Sequence, residues 1–187
     1  MEPAIADLIV DWTNGALTAA DLHTSLKTMG ELRSIFADRH AANQMPADIE
    51  IYRIQAYTPV PAGTEGGLFW GRTILQPGNV GEEFFMTKGH FHRIRNRAEY
   101  YFTFQGTGAL LLMDEARTTR HQDMFPGSVH YIPGSTAHRV ANTGSTPLVF
   151  SACWPSDAGY DYETIDREGF SARMLLRGGK PVLVPGK

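Results

Sequence analysis

From about residue 51 onward, apolar residues come in short runs closed by turn chemistry. Runs at Ile51 to Tyr57, Leu68 to Leu75, Phe84 to Phe91, Glu99 to Gln105 and Ala109 to Met113 predict strands, as do Val129 to Ile132, His138 to Ala141 and Leu148 to Cys153. Pro77-Gly78-Asn79, Gln105-Gly106-Thr107-Gly108, Pro126-Gly127, Pro133-Gly134 and Asn142-Thr143-Gly144 punctuate them. Many short strands at this spacing predict an antiparallel sandwich or barrel. The first part of the chain reads differently. Leu22, Leu26, Met29, Leu32 and Phe36 recur at spacings of three and four. That pattern predicts an amphipathic helix from Thr18 to about Ala37, with Thr18 as N-cap and Asp21 in the first turn. Pro46 breaks it. Residues 1–48 are therefore expected to be a helical extension packed outside a barrel of residues 49–187, within one structural domain.

Composition narrows the classes. The chain has 187 residues, a size that fits one domain, and 42% of them are hydrophobic, as an ordinary buried core requires. Its net charge is -3 with both signs interspersed, so no basic face for nucleic acid is expected. No apolar run approaches the roughly 20 residues that span a bilayer. The single cysteine, Cys153, has no partner for an internal disulfide, and a reducing, cytoplasmic setting is expected. Met1-Glu2-Pro3 opens without a basic and then apolar stretch, so no signal peptide is expected.

The chemistry-bearing feature is His90-Phe91-His92, then Glu99, then His138. Side chains two apart share one face of a strand, so His90 and His92 can reach a common point. Three imidazoles and a carboxylate suit a divalent transition metal and leave positions free for water or substrate. On the strand that begins at Glu99, period 2 puts Tyr101 and Thr103 with Glu99. Tyr100, Phe102 and Phe104 fall on the other face, where core packing is expected. His23, His40, His121 and His130 read as structural or surface residues, and Arg93, Arg95 and Arg97 as a solvated loop.

The spacing resembles the cupin family. Glu99 is followed by six residues and Gly106, and Gly127, Pro133, His138 and Asn142 fit the second cupin motif, with Ser135 where that motif has Gly. Six residues separate His92 from Glu99, where most cupins have three or four. This wider gap fits a narrower resemblance. Glu83-Phe84-Phe85-Met86-Thr87-Lys88-Gly89-His90-Phe91-His92 with Arg97-Ala98-Glu99 resembles the cupin-type glucose-6-phosphate isomerases. So do Pro77-Gly78-Asn79-Val80-Gly81, Ala137-His138-Arg139 and Asp157-Ala158-Gly159-Tyr160-Asp161-Tyr162. Trp154 stands where that family can have Tyr, and Tyr160 where it can have His.

The resemblance implies a homodimeric enzyme interconverting glucose 6-phosphate and fructose 6-phosphate in glycolysis and gluconeogenesis. It implies His90, His92, Glu99 and His138 as ligands of one divalent metal per subunit. Fe2+ is expected, and Mn2+, Ni2+ or Zn2+ are admitted by the same ligands. It further implies phosphate binding by Thr73, Thr87 and Gly89, and a sugar site lined by Tyr52, Tyr101 and Tyr162. Aldose–ketose isomerisation moves hydrogen between C1 and C2, and a carboxylate beside the carbons can act as the base. Glu99 is the candidate. A hydride shift would need Glu99 only as a ligand. Lys88 alternates away from the metal face and is not assigned. Two other readings remain open at this point: an Fe(II) cupin oxygenase, and a cupin that binds a sugar phosphate without turning it over.

Overall fold

The computed structural model describes residues 6–186. Its largest unit is a six-stranded antiparallel sheet. In spatial order its strands are Val129–Ile132, Glu99–Gln105, Leu148–Pro155, Leu68–Leu75, Glu50–Tyr57 and Leu22–Thr28. A three-stranded sheet carries Thr119–Met124, Gly108–Asp114 and Thr136–Asn142. One core cluster draws Leu75, Tyr101 and Phe150 from the first sheet and Leu110, Leu112 and Val140 from the second. The arrangement is a cupin-type antiparallel β-sandwich whose ladders do not close into a ring. A smaller four-stranded sheet includes Asn79–Val80, Glu83–Phe84, Ala172–Arg177 and Lys180–Pro185.

Local chemistry explains the crossings between layers. Glu99–Gln105 and Gly108–Asp114 belong to different sheets, so the chain must change layer within Gly106-Thr107. Gly106 takes φ +78, and a Cβ there would meet the Pro147 carbonyl oxygen at 2.5 Å. Only glycine fits such a close backbone approach. Within Gly108–Asp114, residues 109–113 are an unbroken apolar run, and Leu110, Leu111, Leu112 and Met113 are at most 1% exposed. The strand is covered on both faces, which is why it does not alternate.

Three expectations are corrected. The helix expected from Thr18 to Ala37 is a strand, Leu22–Thr28, followed by short turns of helix at Met29–Leu32 and Arg33–Ile35. The strand pairs antiparallel with Glu50–Tyr57, with Leu26 opposite Arg53. A spacing of four is ambiguous: residues 22 and 26 share a face in a strand as well as in a helix. The open backbone edge of Glu50–Tyr57 decides between them, because its N–H and C=O groups need partners. Residues 22–28 are therefore part of the main sheet rather than of a helical extension. The helix cap is Thr28 instead of Thr18, with the Glu31 carboxylate accepting from the Thr28 N–H at 3.0 Å.

The strand expected from Phe84 to Phe91 is interrupted. Only Glu83–Phe84 and Phe91–His92 are regular, and isolated bridges Met86↔Ala141 and His90↔His138 tie the stretch between them to the neighbouring strand. Gly89, at φ +76, breaks the run. Of Tyr100, Phe102 and Phe104, expected to pack in the core, only Phe104 is buried, and none joins the central cluster. Tyr100 is 54% exposed beside Tyr131, while Phe102 and Phe104 lie under Trp12 on the outer side of the sheet.

Candidate metal centre and substrate cavity

Three strand segments converge to build the site. Phe91–His92 brings the His90–His92 pair, Glu99 begins its strand, and His138 lies within Thr136–Asn142. The His90↔His138 bridge locks two of these backbones together. Ser135, at the position where the cupin motif has Gly, takes φ +56 just before that strand. The motif's preference for glycine thus marks a left-handed residue, which Ser adopts at some strain.

His90, His92, Glu99 and His138 each offer one ligand atom within 4.8 Å of the others. His92 Nδ1 lies 2.8 Å from the Arg97 carbonyl, and His138 Nδ1 lies 3.3 Å from the Thr136 carbonyl. A carbonyl only accepts, so each Nδ1 carries a hydrogen and each Nε2 is the atom turned inward, toward Glu99. Glu99 Oε1 is 2.6 Å from His138 Nε2 and 3.4 Å from His92 Nε2. Yet all three of these buried atoms lack a directional hydrogen bond. Close, convergent and unsatisfied donor atoms are what a metal ion would satisfy, so the residues fit a divalent cation. His90 is pushed well below its ordinary pKa by burial and then by His138, which keeps it neutral. Burial alone would raise the Glu99 carboxyl, but His138 and His92 outweigh it and hold Glu99 well below the usual carboxylate range.

The ligands open onto a cavity of about 320 Å³. Tyr52, Thr73, Thr87, Gly89, Tyr101 and Tyr162 all line it alongside His90, His92, Glu99 and His138, so one chamber gathers every residue that the resemblance implied for metal, phosphate and sugar. Strand register explains part of this. Ser25, Ile54, Thr73 and Phe150 stand opposite one another across four strands and share the inner face. Tyr101 is wedged between Phe150 and His138, with ring centroids at 5.1 and 5.8 Å. Burial, and then the charge of Glu99, pushes its phenol well up, so it stays a hydrogen-bond donor. Burial likewise pushes Tyr52 up to about 12.

The cavity has occupants that the sequence did not single out. Ser25 and Lys27 come from the strand mistaken for helix, so no strand periodicity was sought there. Lys88 also lines the wall, because the glycine after it breaks strict alternation. Trp154 and Tyr160, noted from the sequence only as departures from the family pattern, also line it, Tyr160 stacking on Tyr162 with centroids 5.6 Å apart and standing 4.9 Å from His90. The arginine loop has a structural use. Arg97 holds Asp157 through Nε at 3.0 Å and Nη2 at 2.7 Å, and Arg95 Nη2 holds Asp161 at 2.5 Å. These pairs tie the loop between ligands to residues 157–161. His130 is buried between Gln122 and Ser128, away from the cavity lining.

An antiparallel cupin sandwich with a His3Glu cluster inside it defines a cupin with a candidate metal site. A family model described as glucose-6-phosphate isomerase (GPI) matches residues 26–183, and the chain belongs to that family. A glucose-6-phosphate isomerase of Thermococcus litoralis is 39% identical over 159 residues, covering 85% of this chain and 84% of the relative. One of Pyrococcus horikoshii is 36% identical over 175 residues, covering 94% and 92%. Oxalate decarboxylase from Bacillus subtilis aligns at 22% identity and a TM-score of 0.48, over 66% of this chain and 30% of that one.

Proposed function

We propose that this protein interconverts glucose 6-phosphate and fructose 6-phosphate with a divalent metal held by His90, His92, Glu99 and His138. The observation that carries the reading is the shared cavity: it joins the convergent His90, His92, Glu99 and His138, three of them with unsatisfied buried atoms, to the neutral donors Thr73, Thr87 and Gly89. Hydroxyls and a backbone N–H suit phosphate oxygens, and 320 Å³ suits a six-carbon sugar phosphate.

A bound metal supplies Lewis acidity toward the sugar oxygens. The chain supplies the rest. Glu99 is ionised and takes the proton from C2 of the open-chain aldose, leaving an enediolate, and returns it to C1. Tyr101, kept protonated, donates a hydrogen bond to a sugar oxygen. Tyr52 and Tyr162 flank the carbon chain, while Thr73, Thr87 and Gly89 hold the phosphate. Fe2+ is the expected ion. A homodimer fits the exposed Tyr100, Val129 and Tyr131 on the outer face of the main sheet, which are 52–59% exposed. A reducing, cytoplasmic setting fits the one unpaired cysteine.

The test is direct. Protein stripped with a chelator and refilled separately with iron, manganese, nickel or zinc is assayed for conversion of fructose 6-phosphate to glucose 6-phosphate. At least one metal should restore turnover, and no turnover with any of them refutes the proposal.

A further inference from the structure

Arg139 is 3% exposed and, among the described residues, forms no ion pair with a carboxylate. Burying an unpaired cation is costly, and a neutral side chain would fill the same space more cheaply. What the guanidinium does is specific. Its Nε and Nη2 both donate to the Lys88 carbonyl, at 3.1 and 2.5 Å. Its plane lies over the Phe170 ring, 4.5 Å from the centroid.

The Lys88 carbonyl and the Gly89 N–H belong to one trans peptide unit. In a planar trans peptide the C=O and N–H point in opposite directions. Anchoring the carbonyl on Arg139 therefore turns the Gly89 N–H away from Arg139, and Gly89 lines the cavity. That N–H finds no backbone acceptor among the described residues. A cation on the carbonyl also polarises the peptide and makes its N–H a stronger donor. The fit is close: a Cβ on Gly89 would meet Phe170 Cε2 at 2.8 Å, and Arg139 Cβ and the His138 carbonyl at 3.0 Å.

We infer that Arg139, backed by Phe170, is the positioning residue of the phosphate subsite: it acts through the Lys88–Gly89 peptide to aim and strengthen the Gly89 N–H toward a phosphate dianion. The inference rests on the isomerase reading above. Arg139 need not touch substrate. Because it follows His138 directly, it also sets the anion site in register with the metal centre.

The experiment compares wild type with Arg139→Lys and Arg139→Gln, all loaded with the same metal. The inhibition constant of inorganic phosphate, KM and kcat for fructose 6-phosphate, and bound metal are measured. In wild type the Gly89 amide resonance should move downfield on adding phosphate. Arg139→Gln should raise the phosphate inhibition constant and KM about 10-fold while kcat stays within about 3-fold, with Lys intermediate. A purely structural role would lower the active fraction and leave the phosphate constant unchanged, and that result overturns the inference. If Arg139→Gln does not fold, Phe170→Leu takes its place, with a rise of about 3-fold expected and no rise overturning it. A wild type without isomerase activity fails the functional reading. An active wild type whose variants keep the phosphate constant fails this inference alone.

Discussion

Glu99→Gln separates the two uses of that side chain. The substitution keeps its shape and removes its charge and basicity. Glu99 Oε1 lies 2.6 Å from His138 Nε2 and is buried, so a neutral amide there has no water to compensate for the lost carboxylate. General-base catalysis contributes about 100- to 10,000-fold, or roughly 2.7–5.4 kcal/mol of barrier. A carboxylate that only binds metal would instead lower metal affinity, and excess metal would restore turnover. We expect kcat to fall by at least about 100-fold at saturating metal and substrate, with three imidazoles still retaining metal. Metal content is read by mass spectrometry and turnover by a coupled dehydrogenase assay. A parallel wild-type reaction in deuterated water should place solvent deuterium at C1 or C2. Near-wild-type turnover of the metal-loaded variant, or complete absence of label, would refute Glu99 as the base.

Three further outcomes are expected. Chelation should lower Tm, since ligand at about 100 times its Kd stabilises the folded state by about 2.7 kcal/mol; a melting curve indifferent to chelator and added metal would contradict the metal centre. Lys27→Met should raise KM for fructose 6-phosphate several-fold and weaken its salt dependence with little change in kcat, because Lys27 lines the cavity and is otherwise held only by exposed Glu31 at 2.7 Å; an unchanged KM at low salt would remove Lys27 from phosphate binding. Asp157→Asn should weaken metal binding by about 10-fold, because Asp157 anchors the Arg97 side chain while the Arg97 carbonyl orients His92; titration with a competing chelator checks this, and unchanged affinity would show that the loop holds its shape without the pair.

Much of this arrangement was legible in the linear sequence, for reasons that differ by residue. Leu68–Leu75 and Glu99–Gln105 have the expected bounds because period 2 and glycine- or proline-rich ends agree there. The clustering of His90, His92, Glu99 and His138 was legible because His-x-His and Glu99 depend on local strand geometry, and His138 follows a recognisable turn. Lys27 was missed because its strand exists only where a neighbouring edge demands a partner. Lys88 was left unassigned because φ +76 at Gly89 interrupts the alternation from which its direction was judged.

By itself, then, the sequence determined the identities that chemistry requires: three imidazoles and a carboxylate at strand spacing, and short antiparallel strands to carry them. These follow from near-neighbour rules that need no knowledge of the rest of the chain. Only the tertiary structure decided which groups face one another. It turned residues 22–28 into a sheet edge, spent Arg95 and Arg97 on Asp161 and Asp157, and set buried Arg139 behind the Lys88 carbonyl. The three arginine pairings join residues 51 to 66 positions apart. They are settled by backbone hydrogen bonding and by the exclusion of water from charges, which act only once the chain has folded.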